Sequence, residues 1–403
     1  MIIGVLLVFL AGCGDKSIPA PNSSSGVAPI KISVPTKHSL HLGKDLFRMD
    51  AFADGKLLYA IDYTDPSVDQ PSPDTLDMRY YLYDTSTRQT VELGKLFWSV
   101  ASNDNSVYMD NGKVYLSFDD YGNNYSWIKI LEIDMHNNAM DNRLIIEADN
   151  PTSNLAKISD TEFIYNIGQG INIRNFSFYI FNTQTNTNTL FLTMQYDPDN
   201  NIGKVSQRAR KFGEYIYVLV EIADGTDIPS NVLEKYSLDG KLVDTIPLPD
   251  EINPYIYSDG EYYGISDFDI RGDQYYFYSD GTGAQFFYTQ QDGKFVKQTS
   301  EYGWGILYPE SNPQYIIYDH LYRESCLLIF DLETGETTEC RFNIDSEYNQ
   351  FSNALFDSSG KTDQIALICT TKNPDPNQYF EPQYQAYFMN FSDILTAIQQ
   401  AQA

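Results

Sequence analysis

Apolar and aromatic residues fall in short runs along this chain, each entered through a polar turn. Seven such runs occupy 57–61, 114–118, 163–167, 215–219, 275–278, 315–318 and 365–368, preceded by turn signals such as Asp54-Gly55, Asn111-Gly112 and Arg271-Gly272-Asp273. A second run follows across a variable loop and leads into a tight polar turn: Asp84-Thr85-Ser86-Thr87, Asp134-Met135-His136-Asn137, Asn182-Thr183-Gln184-Thr185, Ser237-Leu238-Asp239-Gly240, Gln291-Asp292-Gly293, Asp331-Leu332-Glu333-Thr334-Gly335 and Asn390-Phe391-Ser392-Asp393. Runs this short, rich in β-branched and aromatic residues, predict pleated, half-buried strands rather than helices. The counts of 32 Tyr and 23 Phe against 8 Met point the same way.

Successive turns lie about 50 residues apart, and a period of that size with several strands per unit predicts a β-propeller. The expected fold is therefore all-β, a seven-bladed propeller over residues 40–392 followed by a short helix at 393–403. A ring needs closing, because an open one leaves a sheet edge exposed. The last unit lacks an outer strand of its own, and the alternating Ile30-Lys31-Ile32-Ser33-Val34 is expected to supply it. On its strand pattern and its Asp-Gly and Thr-Gly turns, the stretch from about 40 to 392 resembles exported bacterial propellers of the TolB-like and Trp-Asp-repeat-like kind. No Trp-Asp dipeptide occurs, so the resemblance implies an architecture and no functional residue.

Ahead of the repeats, the apolar run 2–9 leads into Leu10-Ala11-Gly12-Cys13, a tetrad that resembles the lipobox of bacterial lipoproteins. The resemblance implies cleavage after residue 12, diacylglycerol on the Cys13 sulfur, and an extracytoplasmic protein anchored to the membrane by lipid. No Lys or Arg precedes the run, which departs from the usual signal pattern. Residues 13–39, rich in Ser, Pro, Ala and Asn, then read as a tether. The formal charge of −28, from 55 acidic and 27 basic residues, argues against a nucleic-acid partner, since phosphate backbones demand clustered Lys and Arg. Cys326 and Cys340 flank a predicted hairpin. They read either as a disulfide, in an exported chain, or as two buried thiols, with strand register deciding between them. Cys369 reads as a small core residue.

Propeller connections divide by face, and here the loops 62–77, 119–126, 168–175, 221–231, 279–284, 319–325 and 370–384 are long and individual, whereas the hairpin turns are short and alike. Ligands are expected on the loop face. Aspartates interleaved with aromatics suit sugar rings and cationic peptides, and the residues singled out are Tyr63, Asp119, Asp120, Tyr121, Tyr125, Trp127, Trp304, Tyr322, Arg323 and Tyr379. Neither a metal nor a cofactor is expected. Asp267 to Asp273 imitates the opening of a calcium loop, but Arg271 stands at a ligand position and Tyr278 replaces the closing Glu. No Gly-x-Ser-x-Gly elbow occurs, and no catalytic residue is assigned. The expected role is a non-enzymatic binding propeller for a glycan, peptide or envelope protein. The alternatives are a carbohydrate-active hydrolase or lyase using loop-face carboxylates, and a structural subunit of an envelope complex.

Overall fold

The computed structural model describes residues 29–402 apart from 66, 68–76, 97–106, 111, 120–126, 148–154, 168–174, 227–228, 254–263, 280–282, 308–310, 321–325, 345 and 374–379. Two strands come first, β1 (Ile30–Ser33) and β2 (Ser39–Gly43). Sheet I is a meander of β3 (Leu46–Ala53), β4 (Lys56–Asp62), β5 (Met78–Asp84) and β6 (Gln89–Lys95). Sheet II follows with β7 (Val107–Asp110), β8 (Lys113–Asp119), β9 (Trp127–Asp134) and β10 (Ala139–Glu147).

Sheet III has eight strands: β11 (Ala156–Ser159), β12 (Glu162–Ile167), β13 (Asn175–Asn182), β14 (Thr187–Asp197), β15 (Ile202–Phe212), β16 (Tyr215–Asp224), β17 (Ser230–Ser237) and β18 (Leu242–Pro247). Sheet IV also has eight: β19 (Asp267–Arg271), β20 (Gln274–Ser279), β21 (Ala284–Gln291), β22 (Lys294–Leu307), β23 (Tyr315–His320), β24 (Cys326–Asp331) and β25 (Thr337–Asn343), with β1 added at its edge. Sheet V joins β26 (Gln350–Phe356), β27 (Gln364–Thr370) and β28 (Tyr384–Asn390) to β2, and α1 (Phe391–Gln402) ends the chain.

Five sheets, rather than the seven expected from the repeat, therefore make up the ring. Pairing does not stop at every unit boundary. β22 is one continuous strand whose first part pairs with β21 and whose last part pairs with β23. β14 and β15 are likewise joined by the pairs Tyr196 with Gly203 and Asp197 with Ile202. Gly203, at φ +134°, permits that junction, because a Cβ there would lie 2.2 Å from the Gln195 carbonyl oxygen. Two sheets are thus double-width, and each folds over an apolar core between its own halves.

Five further cores close the cycle. Leu58 and Tyr80 of sheet I pack with Leu116 and Leu131 of sheet II. Ile128 of sheet II meets Phe163 of sheet III, and Leu219 of sheet III meets Phe277 of sheet IV. Ile329 of sheet IV meets Leu367 of sheet V, and Phe388 of sheet V returns to Phe52 of sheet I.

Ring closure uses a different segment from the one expected. β1 runs parallel to β25 on the outer edge of sheet IV, with Ile30 opposite Cys340 and Ser33 opposite Asn343. β2 supplies the outer strand of sheet V instead, antiparallel to β28 with Ser39 opposite Tyr387. Alternation explains the first placement. Ile30 and Ile32 point inward and Lys31 and Ser33 outward, so one face of β1 joins the core shared with Phe391, Ile394 and Ile398 of α1. The two chain ends therefore clasp one another. Asp363 caps the helix, accepting a hydrogen bond from Ser392 N–H at 2.8 Å.

Four of the tight turns share one chemistry. Asp84 Oδ1 accepts hydrogen bonds from the N–H groups of Ser86 (2.8 Å) and Thr87 (3.1 Å), Asp134 Oδ1 from His136 (3.0 Å) and Asn137 (2.9 Å), and Asn182 Oδ1 from Gln184 (3.0 Å) and Thr185 (3.1 Å). Asp331 Oδ1 does the same for Glu333 at 2.8 Å. The side chain mimics a backbone turn, which is why Asp or Asn opens each of these four.

Candidate functional site

The loop face contains a cavity of about 220 Å³ between sheets III and IV. Its first wall is a cross-strand row: Val205 of β15 stands opposite Glu221 of β16, which stands opposite Asn231 of β17, so the three side chains leave the sheet on one face. The second wall is the segment Gly264 to Ser266 that leads into β19. Ser266 is tied down by its N–H and Oγ, both donating to the Tyr278 carbonyl at 2.8 and 3.2 Å. Asn231 is buried, and its N–H donates to Asn253 Oδ1 at 2.5 Å. Leu219 and Ile265 give the cavity an apolar lining beside the carboxylate, amide and hydroxyl.

On the opposite sheet face of β17, the buried carboxylate of Glu234 has both oxygens engaged, by Lys204 Nζ at 2.5 Å and by the Tyr236 hydroxyl. It holds the fold rather than a ligand. Asp50 on β3 is also buried, and burial pushes its carboxyl up against the opposing pull of the Arg48 guanidinium beside it. Asp50 does not line the cavity. Asp267 is gripped by Arg210 at 2.7 and 3.1 Å and approached by Arg208 at 3.4 Å, and Asp269 lies 3.3 Å from Arg271. The stretch that imitates a calcium loop is thus a strand whose carboxylates are paired with arginines.

Of the expected ligand residues, Tyr63 is fully described. It is exposed, and its hydroxyl accepts a hydrogen bond from Tyr81 at 3.3 Å while the Arg79 guanidinium lies 5.4 Å from its ring centroid. Arg79 forks onto Asp77 at 2.8 and 2.9 Å, and those hydrogen bonds hold the Asp77 carboxyl below its usual range. This is an aromatic and charged cluster on sheet I, and Tyr63 does not line the cavity. Asp119, Trp127 and Trp304 lie in β8, β9 and β22, with side chains outside the described residues. Asp120, Tyr121, Tyr125, Tyr322, Arg323, Tyr379 and Cys13 also lie outside them.

Cys326 and Cys340 are thiols, not a disulfide. Cys326 stands opposite Arg341 and Cys340 opposite Leu327, one position out of step, so the sulfurs leave the sheet on opposite faces. Burial pushes the Cys340 thiol up to about 12, with Cys326 and Glu339 adding to it, and burial does the same for Cys369.

Two solved structures share the architecture at a TM-score of 0.50. One is an oligogalacturonate lyase from Vibrio parahaemolyticus, 12% identical over 85% of this chain and 89% of that one. The other is the β-propeller domain of Cps50 (Swd1) from Myceliophteria thermophila, 7% identical over 85% of this chain and 96% of that one. The chain is a β-propeller. At these identities the likeness is one of fold. No protein-family model matches the chain, and neither does any curated protein.

Residue-by-residue reading of the sequence missed Glu221, Asn231 and Ser266 as a set. Glu221 and Asn231 bound one of the long loops, but only the register of β15, β16 and β17 brings them level, and Ser266 comes from the next sheet. A pair of polar residues ten apart across a predicted hairpin was the available signal.

Proposed function

We propose that this propeller is a non-enzymatic binding protein of the cell envelope, anchored through Cys13 and engaging a glycan or peptide on its loop face. The loop-face cavity carries the reading. At about 220 Å³ it falls short of the roughly 300 Å³ at which sites for whole small molecules begin. It suits one ring or one side chain of a longer polymer, with the remainder lying across the rim. Leu219 and Ile265 offer an apolar surface to the C–H face of a sugar or to an aliphatic side chain, while Glu221 accepts hydrogen bonds from hydroxyl or ammonium groups and Asn231 adds an amide. The sequence Leu10-Ala11-Gly12-Cys13 supports the anchor.

A thermal-shift panel of neutral glycans and cationic peptides on the soluble domain tests the reading. Binding of one class should weaken at least tenfold in Glu221→Gln, since tenfold is about 1.4 kcal/mol and a hydrogen bond to a charged group contributes about 1.5–3 kcal/mol. Turnover of a bound glycan would replace the binding role with a carbohydrate-active one. Mass spectrometry of the mature N-terminus tests the anchor, which an uncleaved Met1 in a lipoprotein-processing host would refute.

A further inference from the structure

A larger cavity of about 350 Å³ lies on the hairpin face, where the first and last sheets meet. Its distinguishing residue is Arg88. Among the described residues every other non-glycine with positive φ is Asn or Asp, the residues that tolerate the left-handed region, whereas Arg88 sits there at φ 59°. The comparison within the molecule is direct. Three sister turns place Asn138 (φ 51°), Asn186 (φ 54°) and Gly335 (φ 72°) at the position that Arg88 occupies after Asp84. The turn alone favours Asn or Gly there, so the guanidinium is kept at a conformational cost.

The surroundings show a use for it. One guanidinium nitrogen of Arg88, Nη2, lies 2.8 Å from His38 Nδ1, which accepts its hydrogen and steadies the group. In a chain with about twice as many acids as bases, no carboxylate of the described residues pairs with Arg88, and its remaining N–H donors are left for a ligand. Gln364 lines the same cavity, with its amide held 2.9 Å from the Thr85 hydroxyl. Tyr83 and Phe388, stacked with centroids 5.3 Å apart, provide an apolar wall. Asp393, exposed in the first turn of α1, supplies one acceptor to the same cavity.

We propose that this cavity is a second binding site, for a ligand carrying one carboxylate, an adjacent N–H donor and an apolar side group. Arg88 forks onto the carboxylate, Asp393 accepts from the N–H, and the Tyr83–Phe388 wall covers the side group. A free apolar amino acid and the carboxy-terminal residue of a peptide share this chemistry.

Calorimetry and ligand-observed NMR on the soluble domain with L-phenylalanine, N-acetyl-L-phenylalanine and N-acetyl-L-phenylalaninamide test it. Either carboxylate should bind and the amide should not. Preference for the free amino acid assigns the first source, and preference for the acetylated form assigns the second. Arg88→Asn should weaken binding at least tenfold while the thermal midpoint stays level or rises, because the turn then carries the residue its sisters use. His38→Ala should weaken binding severalfold. The proposal is overturned if no carboxylate probe binds at millimolar concentration, if the amide binds equally, if Arg88→Asn binds like the wild type, or if Arg88→Asn lowers the midpoint.

Discussion

Two junctions between neighbouring units of this ring are built in opposite ways. Inside sheet IV the backbone ladder runs straight through β22, and apolar packing of Phe287 against Ile316 and Phe330 supplements it. Between sheets V and I no ladder passes, and side chains from the two ends of the sequence hold the seam. Asp357 accepts hydrogen bonds from the N–H groups of Asp54 and Gly55, both at 3.1 Å, and Lys361 donates to Asp54 at 3.0 Å. Phe388 packs against Phe52 and Tyr83. A continuous strand carries its junction through backbone pairing, whereas the seam relies on side-chain contacts, an apolar core and one backbone hydrogen bond, from Ser358 N–H to the Phe52 carbonyl at 3.0 Å.

The comparison can be broken at its strongest point. Phe388→Ala and Phe287→Ala should each cost about 3–5 kcal/mol by denaturant unfolding, as for large aromatic truncations in a core. Hydrogen exchange should then separate them: Phe388→Ala should deprotect strands of both sheets V and I, while Phe287→Ala should leave the β22–β23 pairs protected. Equal deprotection at both junctions would erase the distinction.

Asp357→Ala comes next. Asp357 is buried, and its loss strands the Asp54 and Gly55 donors, an effect of about 2–3 kcal/mol. Acid should act on the same seam. Partial burial of Asp54 works to raise its carboxyl, but hydrogen bonds from Lys361 and Ser359 and the nearby charges of Lys361 and His136 outweigh it and hold it below the usual range. A carboxyl depressed in the folded state stabilises the fold above its unfolded value of about 3.9, and that contribution is lost as pH falls through the lower folded value. Lys361→Ala should therefore flatten the acid limb of the stability curve.

Asp50 carries the opposite sign. Its carboxyl is raised by burial, so its contribution is full below about pH 3.9 and declines as pH rises through the folded value. Asp50→Asn should gain stability relative to wild type as pH rises above about 4, read from paired unfolding curves. The smallest effect belongs to Val296→Ala on the exposed outer part of β22, which should stay within about 0.5 kcal/mol.

Much of the fold was readable because its signals are local. Alternating apolar runs marked the strands, and Asp84, Asp134, Asn182 and Asp331 marked turns whose hydrogen bonds reach only two or three residues along the chain. The site was harder to read. Nothing in the local pattern marked Arg88, His38 fell within the expected tether, and only ring closure brings them within 2.8 Å. The cysteine pair shows the limit in its plainest form: both strands were recognisable, yet a one-position offset decides whether the sulfurs share a face.

By itself, then, the order of residues determined the strands, the turn chemistry and the all-β repeat, since alternation and side-chain-to-backbone bonds act over a few residues. The tertiary structure decided that pairing runs through two boundaries to give five sheets, that Ser39–Gly43 rather than Ile30–Ser33 closes the last one, and which polar groups meet in each cavity. Those outcomes rest on contacts between residues far apart in sequence, where alternative pairings present the same local pattern and only packing of the whole ring separates them.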